Sequence, residues 1–329
     1  MSESSIAPIT PPPSAPLMQS GAIIEGSSTG DRIYRWATMG MALIIPAMLL
    51  LIAWEVFHAG WPALSKFGLG FFLNSDWDAV NGKFGAAPAV YGTIVSSLIA
   101  LLIATPLAVG VAIFLSEFAP AWLRQPVAFF VDLLAAIPSV VYGLWGFLVL
   151  VPFIRDHVMP FFKDTLHLGD FPLFSGVAYG PSMFAAGAIL AVMVLPFISA
   201  VTREVLMAVP RSQREAALGL GATRWEMIWD AVLPYARSGI IGGIILGLGR
   251  ALGETMAVTM VIGNSHEIHA SLFQPGYSMA SLIANEFAEA TNDMHVSALM
   301  AVGAGLFVVT IIVNVIARWL VWRTARAGV

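Results

Sequence analysis

Six apolar stretches, each long enough to cross a bilayer, constrain this chain more than any other feature. They fall at about 36–57, 91–115, 127–152, 180–202, 236–262 and 297–322. A spanning helix needs about 20 mostly apolar residues. Hydrocarbon offers no water to unpaired backbone groups, so a segment that crosses it pairs them internally, as a helix. The expected class is therefore an all-α integral membrane protein with six transmembrane helices. Composition agrees: 58% of the 329 residues are apolar and 11% are charged, where soluble domains carry roughly 25% charged residues. Pro46, Pro106, Pro138 and Pro196 lie inside the segments, which membrane helices tolerate when neighbours satisfy the freed carbonyls. Cysteine is absent, which excludes a disulfide framework, a thiol nucleophile and a Cys-based metal site.

Basic residues near the segment ends set the orientation. With the N-terminus inside, the cytoplasmic side collects Arg32, Arg35, Arg124, Arg203, Arg211, Arg214, Arg224, Arg237, Arg318, Arg323 and Arg326, leaving Lys66, Lys83, Arg155 and Lys163 outside. Eleven against four places both termini in the cytoplasm. Residues 1–30 are rich in Ser, Pro and Gly and lack a basic stretch followed by an apolar core. They read as a disordered cytoplasmic tail rather than a signal peptide, and residues 31–329 as one six-span transmembrane domain.

The connection between the fourth and fifth segments carries the most information. It runs Val209-Pro210-Arg211-Ser212-Gln213-Arg214-Glu215-Ala216-Ala217-Leu218-Gly219-Leu220-Gly221-Ala222-Thr223-Arg224-Trp225-Glu226 and on to Leu233-Pro234. Ser212 and Glu215 have capping-box spacing, predicting a helix over about 213–219 ended by Gly221. A second short helix is expected to about 232, stopped before Pro234. Small residues at Ala216, Ala217, Gly219 and Gly221 allow close backbone approach, and Arg214 and Glu215 can make charge-assisted contacts with a partner. An amphipathic helix lying on lipid headgroups would show some of these features, but not the whole pattern.

That pattern resembles the signature of the transmembrane subunits of ABC importers: Glu-Ala-Ala, three residues, Gly, nine residues, an apolar residue, one more, then Leu-Pro. Glu215, Ala216, Ala217, Gly221, Leu233 and Pro234 occupy those places, and Ala231 stands where the family more often has Ile. The resemblance implies a type I importer permease fold in which this loop is the cytoplasmic coupling helix that docks into a separate ATPase subunit. The chain has no Gly-x-x-x-x-Gly-Lys-Ser/Thr loop of its own; Gly82-Lys83 is followed by Phe84. It is thus expected to be a transport subunit, not an enzyme, holding no cofactor, with ATP and Mg bound by the partner. His266 and His269 are three residues apart in a polar loop, the wrong spacing for two ligands on one helix face. Gly239, Gly243 and Gly247, four residues apart inside the fifth segment, predict close helix packing.

Arg250 and Glu254 fall near the middle of the same segment. On a continuous helix they lie one turn apart on one face. An unpaired charge at that depth costs at least about 2.5–3.5 kcal/mol on insertion scales. Two readings follow: a mutually neutralising structural pair, or a pathway element in which the planar guanidinium meets an oxyanion. Asp132, near the inner end of the third segment, reads as interfacial. Ser139, Tyr142, Thr255 and Thr259 either line a polar passage or bond their own helix backbones, with Thr255 favoured for its place beside Glu254.

Residues 246–258, Leu-Gly-Leu-Gly-Arg-Ala-Leu-Gly-Glu-Thr-Met-Ala-Val, and 136–146, Ala-Ile-Pro-Ser-Val-Val-Tyr-Gly-Leu-Trp-Gly, resemble the corresponding spans of phosphate-importer permeases of the PstC family. The likeness covers nearly everything after the tail. It implies Arg250 and Glu254 as the transport-critical pair, to which Thr255 is added as a substrate-pathway residue for its place beside Glu254, and an inner-membrane location in a bacterium. The partners it implies are a PstA-like sister permease, a PstB-like ATPase dimer and a PstS-like extracytoplasmic phosphate-binding protein, with no nucleic acid. Loops 58–90, 153–179 and 263–296 would receive the binding protein. A permease for sulfate, molybdate or phosphonate would share the loop but differ around Arg250.

Overall fold

Apolar residues run through every long segment, so proline and glycine decide where helices break. The computed structural model describes residues 29–177 and 179–326, with side chains described through residue 319. The tail expectation therefore lies almost wholly outside the described residues; Thr29 and Gly30 already belong to the first helix. The chain divides into two compact units, residues 1–51 and 52–329. In the first, the described residues are the leading part of a helix that is apolar and exposed along nearly its whole length. Such a surface requires lipid or protein cover.

Ten helices organise the described chain, and no strand is present among the described residues. They are α1 (Thr29–Phe67), α2 (Ala87–Ile113, lengthened by a wide turn over Phe114–Phe118), α3 (Ala121–Ala136), α4 (Ser139–Thr165) and α5 (Met183–Ala208). Then follow α6 (Arg211–Gly219), α7 (Arg224–Gly253), α8 (Met256–Val261), α9 (Met279–Glu286) and α10 (Asp293–Arg326). Six of them, α1, α2, α4, α5, α7 and α10, are long and apolar enough to span a membrane.

The second unit is built on small residues. Ala100, Ala104, Ala108 and Ala112 form a fully buried stripe on α2, at the spacing that lets helix backbones close up without a hydrophobic driving force between them. From α5, Gly187 meets this stripe so closely that a Cβ there would lie 2.5 Å from Ile99. Helix α7 packs on the opposite part of α5 through Gly239, Gly243 and Gly247, whose Cβ atoms would lie 2.5, 3.2 and 2.8 Å from Val205, Val201 and Ile198. The four-residue glycine spacing does what the sequence predicts.

Two segment expectations need correction. The third, placed at 127–152, is two elements: α3 ends at Ala136, and the membrane-length helix starts only at Ser139. Ile137 and Pro138 are both extended, with ψ of 130° and 140°. Proline pushes the residue before it out of the helical region and has no N–H to continue the ladder. Asp132 consequently sits on α3, half-exposed, 3.4 Å from Arg203 of α5. The fifth, placed at 236–262 after a separate short helix, instead runs unbroken from Arg224 through Pro234 to Gly253. A wide turn over Ile228–Val232 precedes Pro234; such turns relieve the clash between a proline ring and the preceding carbonyls. The helix then stops at Glu254, eight residues before the expected end.

Candidate functional site

The break at Glu254 changes the geometry of the charged pair. Glu254 is extended (φ −73°, ψ 129°), so the four-residue spacing no longer stacks it beneath Arg250. Its Oε1 accepts from the Ala257 N–H at 3.4 Å, leaving the carboxylate at the start of α8, where the helix dipole favours negative charge. Arg250 belongs to none of the ion pairs among the described residues. Of the two readings, a mutually neutralising pair is therefore not the arrangement formed. The competing local interaction wins because Gly253 weakens the helix end and β-branched Thr255 is a poor residue with which to continue it.

Arg250 instead lays its guanidinium over Phe197 of α5, with Cζ 4.4 Å from the ring centroid. A partly desolvated cation–π contact of this kind stabilises by about 0.5–2 kcal/mol. Its Nε–H is buried and has no hydrogen-bond partner. A guanidinium carries five donors in a fixed fork, so a buried donor without an acceptor leaves this group able to gain from an entering anion. The segment holding Phe197 offered no signal in sequence: one aromatic among many apolar residues does not announce which cation it will meet.

The two breaks face each other. Helix α4, beginning at Ser139, packs on α8 at Gly143, where a Cβ would lie 3.0 Å from Ala257 Cα. Tyr142, one residue earlier, is buried and lies within electrostatic reach of Arg250. Its hydroxyl donates to the Leu134 carbonyl at 2.7 Å, a second and shorter bond to a carbonyl that, with no N–H on Pro138, the Ile137 N–H reaches only at 3.4 Å. Thr255 Oγ1 donates to the Gly253 carbonyl at 3.5 Å, and Thr259 Oγ1 to the Thr255 carbonyl at 2.7 Å. All three hydroxyls thus bond backbone carbonyls near the two breaks. The stretches 136–146 and 246–258, distant in sequence, are thus brought together through α4, α8 and Arg250.

In the loop, Gly221 takes the role its sequence implies. At φ +90° it ends α6 with the Ala222 N–H on the Ala217 carbonyl and the Gly221 N–H on the Leu218 carbonyl, the double bond pattern of a Schellman motif. The capping box, however, is not at Ser212 and Glu215. Pro210 begins α6 without a side-chain cap, and the reciprocal pair forms at Thr223 and Glu226 at the head of α7: Thr223 N–H to Glu226 Oε2 at 2.7 Å, Glu226 N–H to Thr223 Oγ1 at 3.3 Å. The proline at the helix entrance moves the helix start one residue ahead of Ser212. Glu215, Ala216, Gly219 and Leu220 are exposed, Leu220 by 91%. Ala217 and Leu233 pack inward against a core of Ala112, Leu206, Val209, Ile228 and Val232. Pro234 lies inside α7, exposed. Arg214, expected to reach a partner, turns inward too: Nη2 to Glu117 Oε1 at 2.9 Å, at the end of α2, and to the Leu206 carbonyl at 2.8 Å.

Known proteins match this architecture. Residues 104–326 fit the family described as binding-protein-dependent transport system inner membrane component. The phosphate transport system permease protein PstC of Mesorhizobium japonicum is 46% identical over 310 residues, 93% of this chain and 95% of that protein. The proteins of that name from Pasteurella multocida (45%; 90% of this chain, 93% of that protein) and Xylella fastidiosa strain 9a5c (48%; 88% and 89%) align almost as completely. Among solved structures, the inward-facing MetNI methionine ABC transporter (TM-score 0.52, 18% identity, 74% of this chain and 95% of that one) shares the fold. So does a bacterial ABC transporter that imports alginate (TM-score 0.52, 20% identity, 88% and 99%). A six-helix membrane chain with this loop, matched from end to end, is a permease subunit rather than an enzyme: it belongs to the binding-protein-dependent transport inner-membrane family and, within it, to the PstC permeases.

Proposed function

We propose that this chain forms half of the membrane pathway of an ATP-driven importer of inorganic phosphate. What carries the reading is identity of 45% or more, along about nine-tenths of the chain, to permeases bearing that name. The chemistry at Arg250 supports it: a buried, unpartnered Nε–H on a guanidinium held against Phe197 suits a tetrahedral oxyanion stripped of water. Arg250 meets the anion; Glu254 and Thr255, at the break between α7 and α8, border its path and let the helix bend there as the pathway alternates. The exposed face of α6, with Glu215, Ala216, Gly219 and Leu220, docks on a PstB-like ATPase dimer that binds ATP and Mg. Gly221 sets the turn, and Ala217, Leu233 and Pro234 join the docked loop to α7. A PstA-like sister permease completes the pathway, and a PstS-like protein delivers phosphate from outside. The chain sits in the bacterial inner membrane with both termini in the cytoplasm.

The test is radiolabelled phosphate uptake in phosphate-starved cells carrying wild type or Arg250→Gln at equal membrane levels, with excess sulfate as competitor. Uptake that resists sulfate and collapses in the variant is expected. Normal uptake in the variant would reduce Arg250 to a structural residue. Uptake abolished by sulfate would move the substrate to sulfate or a related oxyanion.

A further inference from the structure

Arg214 stands just ahead of the loop signature and joins its own helix to two others. It is part of α6. Its Nη2 and Nε reach both carboxylate oxygens of Glu117, at 2.9 and 3.4 Å, in the wide turn that ends α2. Nη1 donates to the Val209 carbonyl, just past the end of α5, and Nη2 also to the Leu206 carbonyl, which the Val209 N–H reaches at 3.3 Å. The pair is largely withdrawn from water, with 20% of the arginine side chain and 10% of the glutamate exposed. A forked arginine–carboxylate pair is the most directional of the charged contacts available to a protein. Glu117 is held from its own side as well, because Arg124 of α3 donates to the Ser116 and Ala119 carbonyls on either side of it. Withdrawn ion pairs contribute little net stability, since desolvation offsets attraction; what they supply is a fixed register. Here the register is that of α6 against the ends of α2 and α5.

We infer that the Arg214–Glu117 pair is the strut through which displacement of α6 reaches α2 and α5, making Arg214 and Glu117 positioning residues for coupled transport. The inference rests on the docking role proposed for α6. Without the strut, α6 remains tied to α7 through the Gly221 turn and the Thr223–Glu226 cap, and to the ends of α2 and α5 only through the apolar packing of Ala217. Movement would then reach α2 and α5 without a directional contact. The geometry therefore separates two jobs on a single short helix: exposed Glu215 and its neighbours meet the partner, and inward-facing Arg214 passes the motion on.

The experiment uses the full complex with ATPase and sister permease in proteoliposomes, supplied with the binding protein. ATP hydrolysis and labelled phosphate uptake are measured together. Glu117→Gln keeps shape but removes the charge. It is expected to leave ATPase co-purification and hydrolysis near wild type while phosphate moved per ATP falls about tenfold, the factor expected when a charge-assisted bond becomes a neutral one. The chain contains no cysteine, so Glu117→Cys with Arg214→Cys places a unique pair. A bismaleimide spacer across it, with cysteine-free partners, should restore the ratio that the uncrosslinked pair loses; a pair that mattered only for folding would not regain transport after assembly. An unchanged ratio in Glu117→Gln, or no recovery on crosslinking, overturns the strut. Glu215→Lys tests the reading beneath it. If this variant still retains the ATPase, the docking role fails; if it releases the ATPase while Glu117→Gln transports normally, only the strut fails.

Discussion

The glycine seam between α7 and α5 allows the packing argument to be tested as a gradient. Replacing glycine by alanine within a helix stabilises it by about 1 kcal/mol through backbone entropy alone. Gly242 and Gly249 have nothing within 4 Å of a built Cβ, so alanine there should show that gain with no steric cost. At Gly243 the new methyl would sit 3.2 Å from Val201, a contact that a small shift relieves, and gain and cost should roughly cancel. At Gly247 it would lie 2.8 Å from Ile198 Cγ1, and at Gly239 2.5 Å from both γ-carbons of Val205. Valine is stiff at χ1 and cannot turn both methyls away, so the helices must part. Overpacking of this kind costs about 1–3 kcal/mol, which less the glycine gain leaves a net loss of up to about 2 kcal/mol at Gly239. The spread from Gly242→Ala to Gly239→Ala should be about 1–3 kcal/mol. Reversible unfolding of the purified chain in mixed micelles, followed by tryptophan fluorescence, measures it. A double-mutant cycle with Val205→Ala should recover most of the Gly239→Ala loss, because the two sites share one contact. Equal effects at Gly239 and Gly242, or strict additivity with Val205→Ala, would refute the seam.

Three further outcomes follow from named contacts. Tyr142→Phe removes the shorter of the two bonds to the Leu134 carbonyl at the α3–α4 break, leaving only the Ile137 N–H at 3.4 Å, and should cost about 0.5–1.5 kcal/mol in the same unfolding assay; no change would mean that the hydroxyl bond contributes nothing to holding the break. Thr223→Ala removes the cap of α7 and should cost about 1 kcal/mol, seen as faster hydrogen exchange confined to residues 223–228; protection lost equally in α6 would contradict a local cap. The loop near His266 should loosen on acidification. Burial beside the Trp77 and Tyr277 rings holds that imidazole below its ordinary pKa of 6.5, opposed by Glu286, whose carboxylate it shares with His295 at 3.8 and 3.3 Å. A depressed pKa means that the opened state binds the proton first. The stability due to neutral His266 is complete above about pH 6.5 and lost as pH falls toward its folded-state value. Exchange of residues 263–278, corrected for intrinsic rate, should rise between pH 7.5 and 5.5, and the same rate at both would refute this.

What could be read from the chain divides along a physical line. Existence and number of spans depend on how much apolar surface each segment carries, a quantity summed locally. The α7 glycine seam was legible because four-residue spacing imposes one face whatever the partner, and the Gly221 turn because that position needs a left-handed backbone. Breaks were harder. Apolar runs continue straight through Ile137-Pro138 and Gly253-Glu254, so hydropathy cannot see that the third segment is two helices or that the fifth ends early; Pro138 was a local warning that tolerated membrane prolines masked.

The charged groups were the least legible, because a charge's partner is chosen by whatever the fold brings near it. Spacing alone paired Arg250 with Glu254, yet Glu254 found a closer claim at the head of α8 and Arg250 settled on Phe197, 53 residues earlier in the chain. Spacing likewise turned Arg214 toward a partner protein, whereas Glu117, 97 residues away, holds it inside. Sequence by itself determined that this chain crosses the membrane six times and which loop carries the family signature, since both follow from local composition and order. Only the tertiary structure decided which face of that loop points outward and what each buried charge touches, because a Coulomb contact depends on distance in space and carries no mark in sequence separation.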